Sequence, residues 1–315
     1  LPRGAFSEKQ KRNREHAMLS PPAPALTVPR ERIVAGIGLM LAAMFAFSIN
    51  DVMGKWLVAS YGVAQLLLIR SLAAAVMLAP AIHRAGLATI LKPQRPFLHA
   101  ARAVCSTAEV AFFYWAVVYL PLANAVAFYL AGPIFVTLFA VLFLSEKVGW
   151  RRWSAILVGF VGVLVAINPT GQGMGWPALI ALTGTVLFAV LNILTRVLAG
   201  SNEVTLVSWQ VGSALLFGLV VAPFLWVRPT LFDFACLCLL GVVSTLAHMG
   251  VNRALAYAPA AVVVPYQYTL IVWAVILGYI FFGDVPKPHV LIGSLIIVAA
   301  GLYIFLREQK KAREI

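Results

Sequence analysis

Residues 33–55 read IVAGIGLMLAAMFAFSINDVMGK, an unbroken apolar run whose charges, Asp51 and Lys55, come only near its end. About 20 such residues in a helix cross the hydrocarbon core of a bilayer. Working outward, comparable runs occupy 63–83, 97–119, 122–144, 151–168, 175–197, 204–226, 232–256, 260–282 and 288–306, with very short connections between them. Strand spans would be about half as long and would alternate in polarity. Helices satisfy their own backbone where no water is present. Hydrophobic residues make up 62% of the chain, charged residues 11%, and mean hydropathy is +0.93. Soluble domains run near ~45–50% apolar and ~25% charged. The expectation is an all-α membrane protein with ten transmembrane helices.

The formal net charge of +13 is distributed by topology rather than gathered on one nucleic-acid-binding face. With a cytoplasmic N-terminus, basic residues crowd the inner segments: Arg3 to Arg32, Arg84 to Arg95, Lys147 to Arg152, and Arg307 to Arg313. The outer loops hold Arg228 and Lys287. This positive-inside pattern puts both termini in the cytoplasm. Residues 1–32 read as a disordered basic, Pro-rich cytoplasmic tail and 307–315 as a short basic one. No apolar stretch precedes the first span, so a cleaved signal peptide is not expected. The chain begins at Leu1, with Met18 an alternative start. Cys105, Cys236 and Cys238 sit in apolar spans without metal or disulfide spacing.

The chain repeats itself once. Phe47, Asp51, Lys55, Leu57 and Ser60 align at constant offset with Phe188, Asn192, Arg196, Leu198 and Ser201. Ala116, Tyr119, Pro121, Ala123 and Glu146 align with Ala254, Tyr257, Pro259, Ala261 and Asp284. Two five-span units, 33–169 and 175–306, meet near 170–174. An odd number of spans per unit inverts the second unit, an arrangement common among secondary transporters, whose sites lie near the midplane between repeats.

Leu68-Ile69-Arg70-Ser71, Tyr119-Leu120-Pro121-Leu122-Ala123 and Leu144-Ser145-Glu146-Lys147, with their echoes Tyr257-Ala258-Pro259-Ala260-Ala261 and Phe282-Gly283-Asp284, resemble the drug/metabolite transporter superfamily. Within it the chain is similar to the EamA-like ten-helix members. Ser48-Ile49-Asn50-Asp51-Val52-Met53-Gly54-Lys55 and Pro265-Tyr266-Gln267-Tyr268 resemble two of its subgroups, bacterial riboflavin importers and S-adenosylmethionine carriers. The resemblance implies a multi-pass protein of the bacterial inner membrane that carries a small molecule.

A charge at bilayer mid-depth costs ~2.5–3.5 kcal/mol on insertion scales, so it must face protein or a wet cavity. At 1.5 Å of rise per residue, Asp51 lies ~6 Å, Arg70 ~11 Å and Glu109 ~15 Å from the outer ends of their spans. These three are expected to meet as a substrate or proton site; the alternative is a structural ion pair locking span two to span three. Asp51 also stands one turn before Lys55, the favourable order for a helical pair. Arg102 reads as snorkelling toward the cytoplasmic end. Ser244, His248 and Asn252 recur every four residues in span eight, and His248 falls one position from the counterpart of Glu109. His248 is either a titrating group or a packing residue.

For substrate contact, Asn50, Tyr129, Asn192, Gln210, Asn252, Tyr266, Gln267 and Tyr268 are the candidates. Aromatic rings would stack on a planar ligand and amides would read its edge. Plain helix packing is the competing account of the tyrosines. Trp150, Trp153, Trp176 and Trp226 read as interfacial anchors.

The chain has no P-loop, no His-Glu-x-x-His, no Gly-x-Ser-x-Gly and no clustered metal ligands. No cofactor or metal is expected, and no enzymatic activity. The expected function is secondary active transport by alternating access, with riboflavin uptake first. S-adenosylmethionine transport and amino-acid or drug export are the alternatives, and a channel or intramembrane enzyme is remote. Expected partners are the small-molecule substrate and the bilayer, with proton coupling and a monomer or homodimer left open.

Overall fold

The computed structural model describes residues 30–144, 150–168, 175–198, 200–258 and 260–313. The tail through Pro29, the Glu146 loop, the repeat boundary at 170–174 and Pro259 lie outside the described residues. The described chain is helical, without a strand. Its spans are α1 (Arg30–Val58), α2 (Val63–Ala85), α3 (Pro96–Tyr119), α4 (Leu122–Leu144), α5 (Trp150–Ile167), α6 (Gly175–Val197), α7 (Glu203–Val221), α8 (Leu231–Tyr257), α9 (Val264–Phe282) and α10 (Pro288–Arg313). Eight are long and apolar enough to cross a bilayer, and shorter apolar segments in α5 and α10, Trp153–Ala166 and Pro288–Tyr303, complete the ten. Helix α1 already begins at Arg30, inside the segment expected to be tail.

Local chemistry sets the helix ends. The Asn202 side chain accepts the Val204 amide at 2.8 Å and opens α7. Thr230 accepts the Asp233 amide at 3.0 Å and opens α8. Each relieves one of the amides a helix start leaves unpaired. Gly283, at φ 66°, closes α9: its amide donates to Tyr279 and that of Asp284 to Gly278. This left-handed cap fixes where Asp284 emerges.

The helix pairs come in twos. α1 packs on α8 as α3 packs on α6, α2 on α8 as α3 on α7, and α1 on α9 as α4 on α6. The pairs α2–α7, α4–α9 and α5–α10 are their own counterparts and so bracket a pseudo-twofold axis. These are the two inverted five-helix repeats expected from the sequence. Without a hydrophobic force between helices in lipid, close backbone approach is a main source of packing energy. At Gly241 of α8, a Cβ would fall 2.1 Å from the Arg70 carbonyl oxygen of α2.

The spans that meet on the axis are both interrupted. α4 is helical over Leu122–Tyr129 and again over Gly132–Leu144, with Leu130 and Ala131 between. Pro133 has no N–H to donate to the turn before it. α9 starts as a 3-10 segment, Val264–Tyr268, and turns α-helical at Thr269. By the offset that links Ala116 with Ala254, Leu130 corresponds to Tyr268, so both repeats break at one place. Pro265 likewise has no N–H to donate at the break in α9.

Candidate functional site

The polar residues of α1, α2, α3 and α8 form a directed chain of hydrogen bonds. Arg70 Nη1 donates to the Tyr114 hydroxyl at 3.1 Å. That hydroxyl donates to Asn50 Oδ1 at 3.2 Å, and Asn50 Nδ2 donates to the Leu240 carbonyl at 2.8 Å. Arg70 Nη2 donates to Ser244 Oγ at 3.2 Å, and the Ser244 hydroxyl donates to the Gly241 carbonyl at 3.1 Å. Two hydroxyls on different helices thus hold the guanidinium from both terminal nitrogens. Because Asn50 and Arg70 belong to the first repeat and Leu240 and Ser244 to the second, the chain crosses the boundary between them.

Local packing makes this possible. Tyr114 is 1% exposed and lies against Gly54, where a Cβ would meet the ring at 2.1 Å. Glycine therefore lets α1 and α3 close on the tyrosine. Gly241 plays the same part where α8 meets Arg70.

Asp51 and Glu109 both lie within electrostatic range of Arg70 and of each other. Neither makes an ion pair with Arg70 within 4.0 Å among the described residues. Asp51, Arg70 and Glu109 are each half-buried. The three stand within electrostatic range of one another, without a bridge to Arg70. The hydrogen-bond partners of Arg70 are the neutral hydroxyls of Tyr114 and Ser244.

His248 shares this region. Its Nδ1 lies 2.7 Å from the Ser244 carbonyl and its ring meets Phe47 edge-on, with centroids 4.7 Å apart. Tyr129 sits at the α4 break, donating to the Glu109 carbonyl at 3.1 Å while its ring rests on Phe113 and Gly184. Asn192 back-bonds to Phe188 one turn earlier at 2.8 Å.

Other candidates stand apart. Asn252 is exposed and donates to Glu203 at 2.8 Å, tying α8 to the start of α7 at the end that carries Arg30 and Arg313. Tyr268 packs into α10, its hydroxyl occupying the space a Cβ on Gly301 would need. Tyr266 packs against the buried apolar cluster that joins α1 to the end of α8. Gln210 and Gln267 are half-buried on α7 and in the 3-10 segment. Arg102 does not snorkel: it donates to Thr195 at 2.8 Å and to the Leu206 carbonyl at 3.2 Å, joining α3 to α6 and α7.

The Asp51–Lys55 pair is replaced by a longer-range one. Lys55 Nζ meets Asp284 Oδ2 at 2.5 Å, across the two repeats. A lysine at a helix end swings freely, and the α9 cap delivers a carboxylate within its reach.

A cleft of about 730 Å³ between α2, α3 and α7 is almost entirely apolar and contains none of the ionisable cluster. Its few polar groups are engaged: Gln65 with Val227, and Thr107 with Ser213 at 2.9 Å. It offers a polar molecule little to bind.

Sequence reasoning did not single out Tyr114 as the hub. The available signal was Gly54 on α1, a small residue marking a close approach.

Ten spans in two inverted repeats, with a charged cluster on their boundary, define a multi-pass membrane transporter. The family model described as the EamA-like transporter family matches residues 34–168 and again 175–306, and the chain belongs to that family. It is 29% identical over 278 residues to an S-adenosylmethionine uptake transporter of Rickettsia bellii, covering 87% of this chain and 94% of that one. It is 29% identical over 311 residues to a riboflavin transporter of Rhizobium johnstonii, covering 92% and 97%. It is 27% identical over 272 residues to a pseudopaline exporter of Pseudomonas aeruginosa, covering 84% and 94%. A crystal structure with 15% sequence identity superposes with a TM-score of 0.57 over 86% of this chain and 95% of that one, a likeness of fold.

Proposed function

We propose that the protein is a secondary active transporter of the bacterial cytoplasmic membrane, with both termini inside, that takes up a small zwitterionic metabolite of the S-adenosylmethionine type by alternating access. The observation that carries this reading is Arg70, held by the neutral hydroxyls of Tyr114 and Ser244 and facing two carboxylates it does not touch. A ligand with a carboxylate at one end and a cation at the other fills that gap. Its carboxylate takes the guanidinium, where a charge-assisted bond is about twice as strong as a neutral one. Its ammonium or sulfonium meets Asp51 and Glu109. Similarity to the Rickettsia transporter supports the choice.

Riboflavin uptake, first from sequence alone, is the second reading. It is supported by similarity to the Rhizobium transporter and by the half-buried Tyr129 and Gln267. The stacking platform expected from Tyr266 and Tyr268 has less support, because both rings pack against neighbouring helices.

Purified protein in liposomes decides between them. Uptake of labelled S-adenosylmethionine, accelerated by the same compound inside the vesicle and unaffected by excess riboflavin, is expected. Riboflavin uptake with no S-adenosylmethionine uptake would reverse the order, and flux without trans-acceleration would indicate a channel. Imposing a proton gradient tests whether Glu109 and Asp51 also couple transport to protons.

A further inference from the structure

We propose that Lys55 and Asp284 form the gate that closes the cavity at the end of the bundle opposite Arg30 and Arg313, opening once in each transport cycle. This rests on the alternating-access reading above. Lys55 Nζ lies 2.5 Å from Asp284 Oδ2 and 3.3 Å from the Leu120 carbonyl, and 4.7 Å from the centre of the Phe282 ring. Asp284 Oδ2 also accepts the Leu122 amide at 3.2 Å. One cation and one carboxylate thus join three places: the end of α1, the turn between α3 and α4, and the cap of α9. The first two belong to one repeat and the third to the other.

Position makes this a gate rather than a surface clip. Lys55 is one helical turn beyond Asp51 on the same face of α1, about 6 Å nearer the membrane surface. A molecule moving between the cluster and that surface passes the ion pair. The side chains are only 14% and 20% exposed, so the pair is largely shielded from competing water. Both partners are long-range neighbours held on segments that α1 or α9 can carry apart as a rigid body.

The α1 segment also links gate to cargo. Asn50, Asp51 and Gly54 contact the central cluster and Lys55 the gate, all within two turns of one helix. A shift of α1 on ligand binding therefore moves Lys55. In the sequence the matching positions of the opposite repeat are Arg196 and Glu146, again a cation and an acid.

The test uses the full chain in liposomes, with Cys105, Cys236 and Cys238 replaced by serine and the pair changed to Lys55→Cys/Asp284→Cys. A reducible bis-thiosulfonate linker, as long as a lysine and an aspartate side chain together, is added. Cross-linking is expected to lower uptake at least about tenfold, and reduction to restore it; the population shift needed is of that order. Cross-linked protein that transports at the reduced rate overturns the gate while leaving the transport reading intact. If the reduced double-cysteine protein is itself inactive, the charge-reversed pair Lys55→Asp/Asp284→Lys decides. Recovery of uptake lost in each single reversal supports the gate, and absence of recovery overturns it. Failure of the wild-type protein to transport any substrate tested is a separate result, against the proposed function.

Discussion

The Tyr114 hydroxyl stands 3.1 Å from Arg70 Nη1 and 3.2 Å from Asn50 Oδ1, accepting from the one and donating to the other. A single phenol oxygen thereby orients the guanidinium and binds α1, α2 and α3 into one unit. A lysine in place of Arg70 has no planar fork to hold two hydroxyls at once. The geometry around the charge depends on both residue types.

Tyr114→Phe keeps the ring against Gly54 and removes only the hydroxyl. Asn50 Oδ1 then loses its donor and Arg70 one acceptor. A stability loss of about 1–3 kcal/mol is expected for the orphaned buried groups, with a rise in the substrate KM. Thermal unfolding in detergent and liposome uptake measure the two effects. Unchanged values for both would show that the chain of hydrogen bonds is not needed.

Gly241→Ala drives a methyl into the Arg70 carbonyl, a backbone atom that cannot rotate away. Separation of α2 from α8 is expected to cost about 1–3 kcal/mol, as overpacked sites do. Gly212→Ala, where nothing lies within 4 Å of the added carbon, is the matched control and should melt with the wild type.

Glu109→Gln removes one carboxylate from the cluster while preserving shape. Uptake of a cationic or zwitterionic substrate is expected to weaken about tenfold, close to ~1.4 kcal/mol of lost interaction. Any pH dependence of uptake should flatten if Glu109 is the coupling group. Uptake and pH profile identical to wild type would remove Glu109 from the mechanism.

Asn252→Ala breaks only the exposed bond to Glu203. Stability should change by no more than about 0.5 kcal/mol and the substrate KM should stay put. A large rise in KM would return Asn252 to the binding site.

Much of the architecture was open to reading in the chain itself. Lipid permits few backbone solutions, so run length alone implied helices, and the repeat of residues such as Phe47/Phe188 and Pro121/Pro259 implied inversion. The meeting of Asp51, Arg70 and Glu109 was also foreseeable, since insertion cost forces such groups inward and helical rise sets their depth. The Lys55 partner was not: a four-residue spacing pointed to Asp51, whereas the contact runs to Asp284 in the other repeat. Both halves of that answer stood in the alignment, as Lys55 with Arg196 and Asp284 with Glu146, but nothing in it joined them.

Hydrophobic length and internal repetition thus determined the number of spans and their grouping. Those are one-dimensional quantities, governed by transfer from water to lipid. Only the tertiary structure decided which hydroxyl holds Arg70, which tyrosines pack into neighbouring helices, and which carboxylate meets Lys55. Side-chain pairing depends on helix rotation and on approach distances set by residues such as Gly54 and Gly241, and the spacing of residues along a chain carries neither.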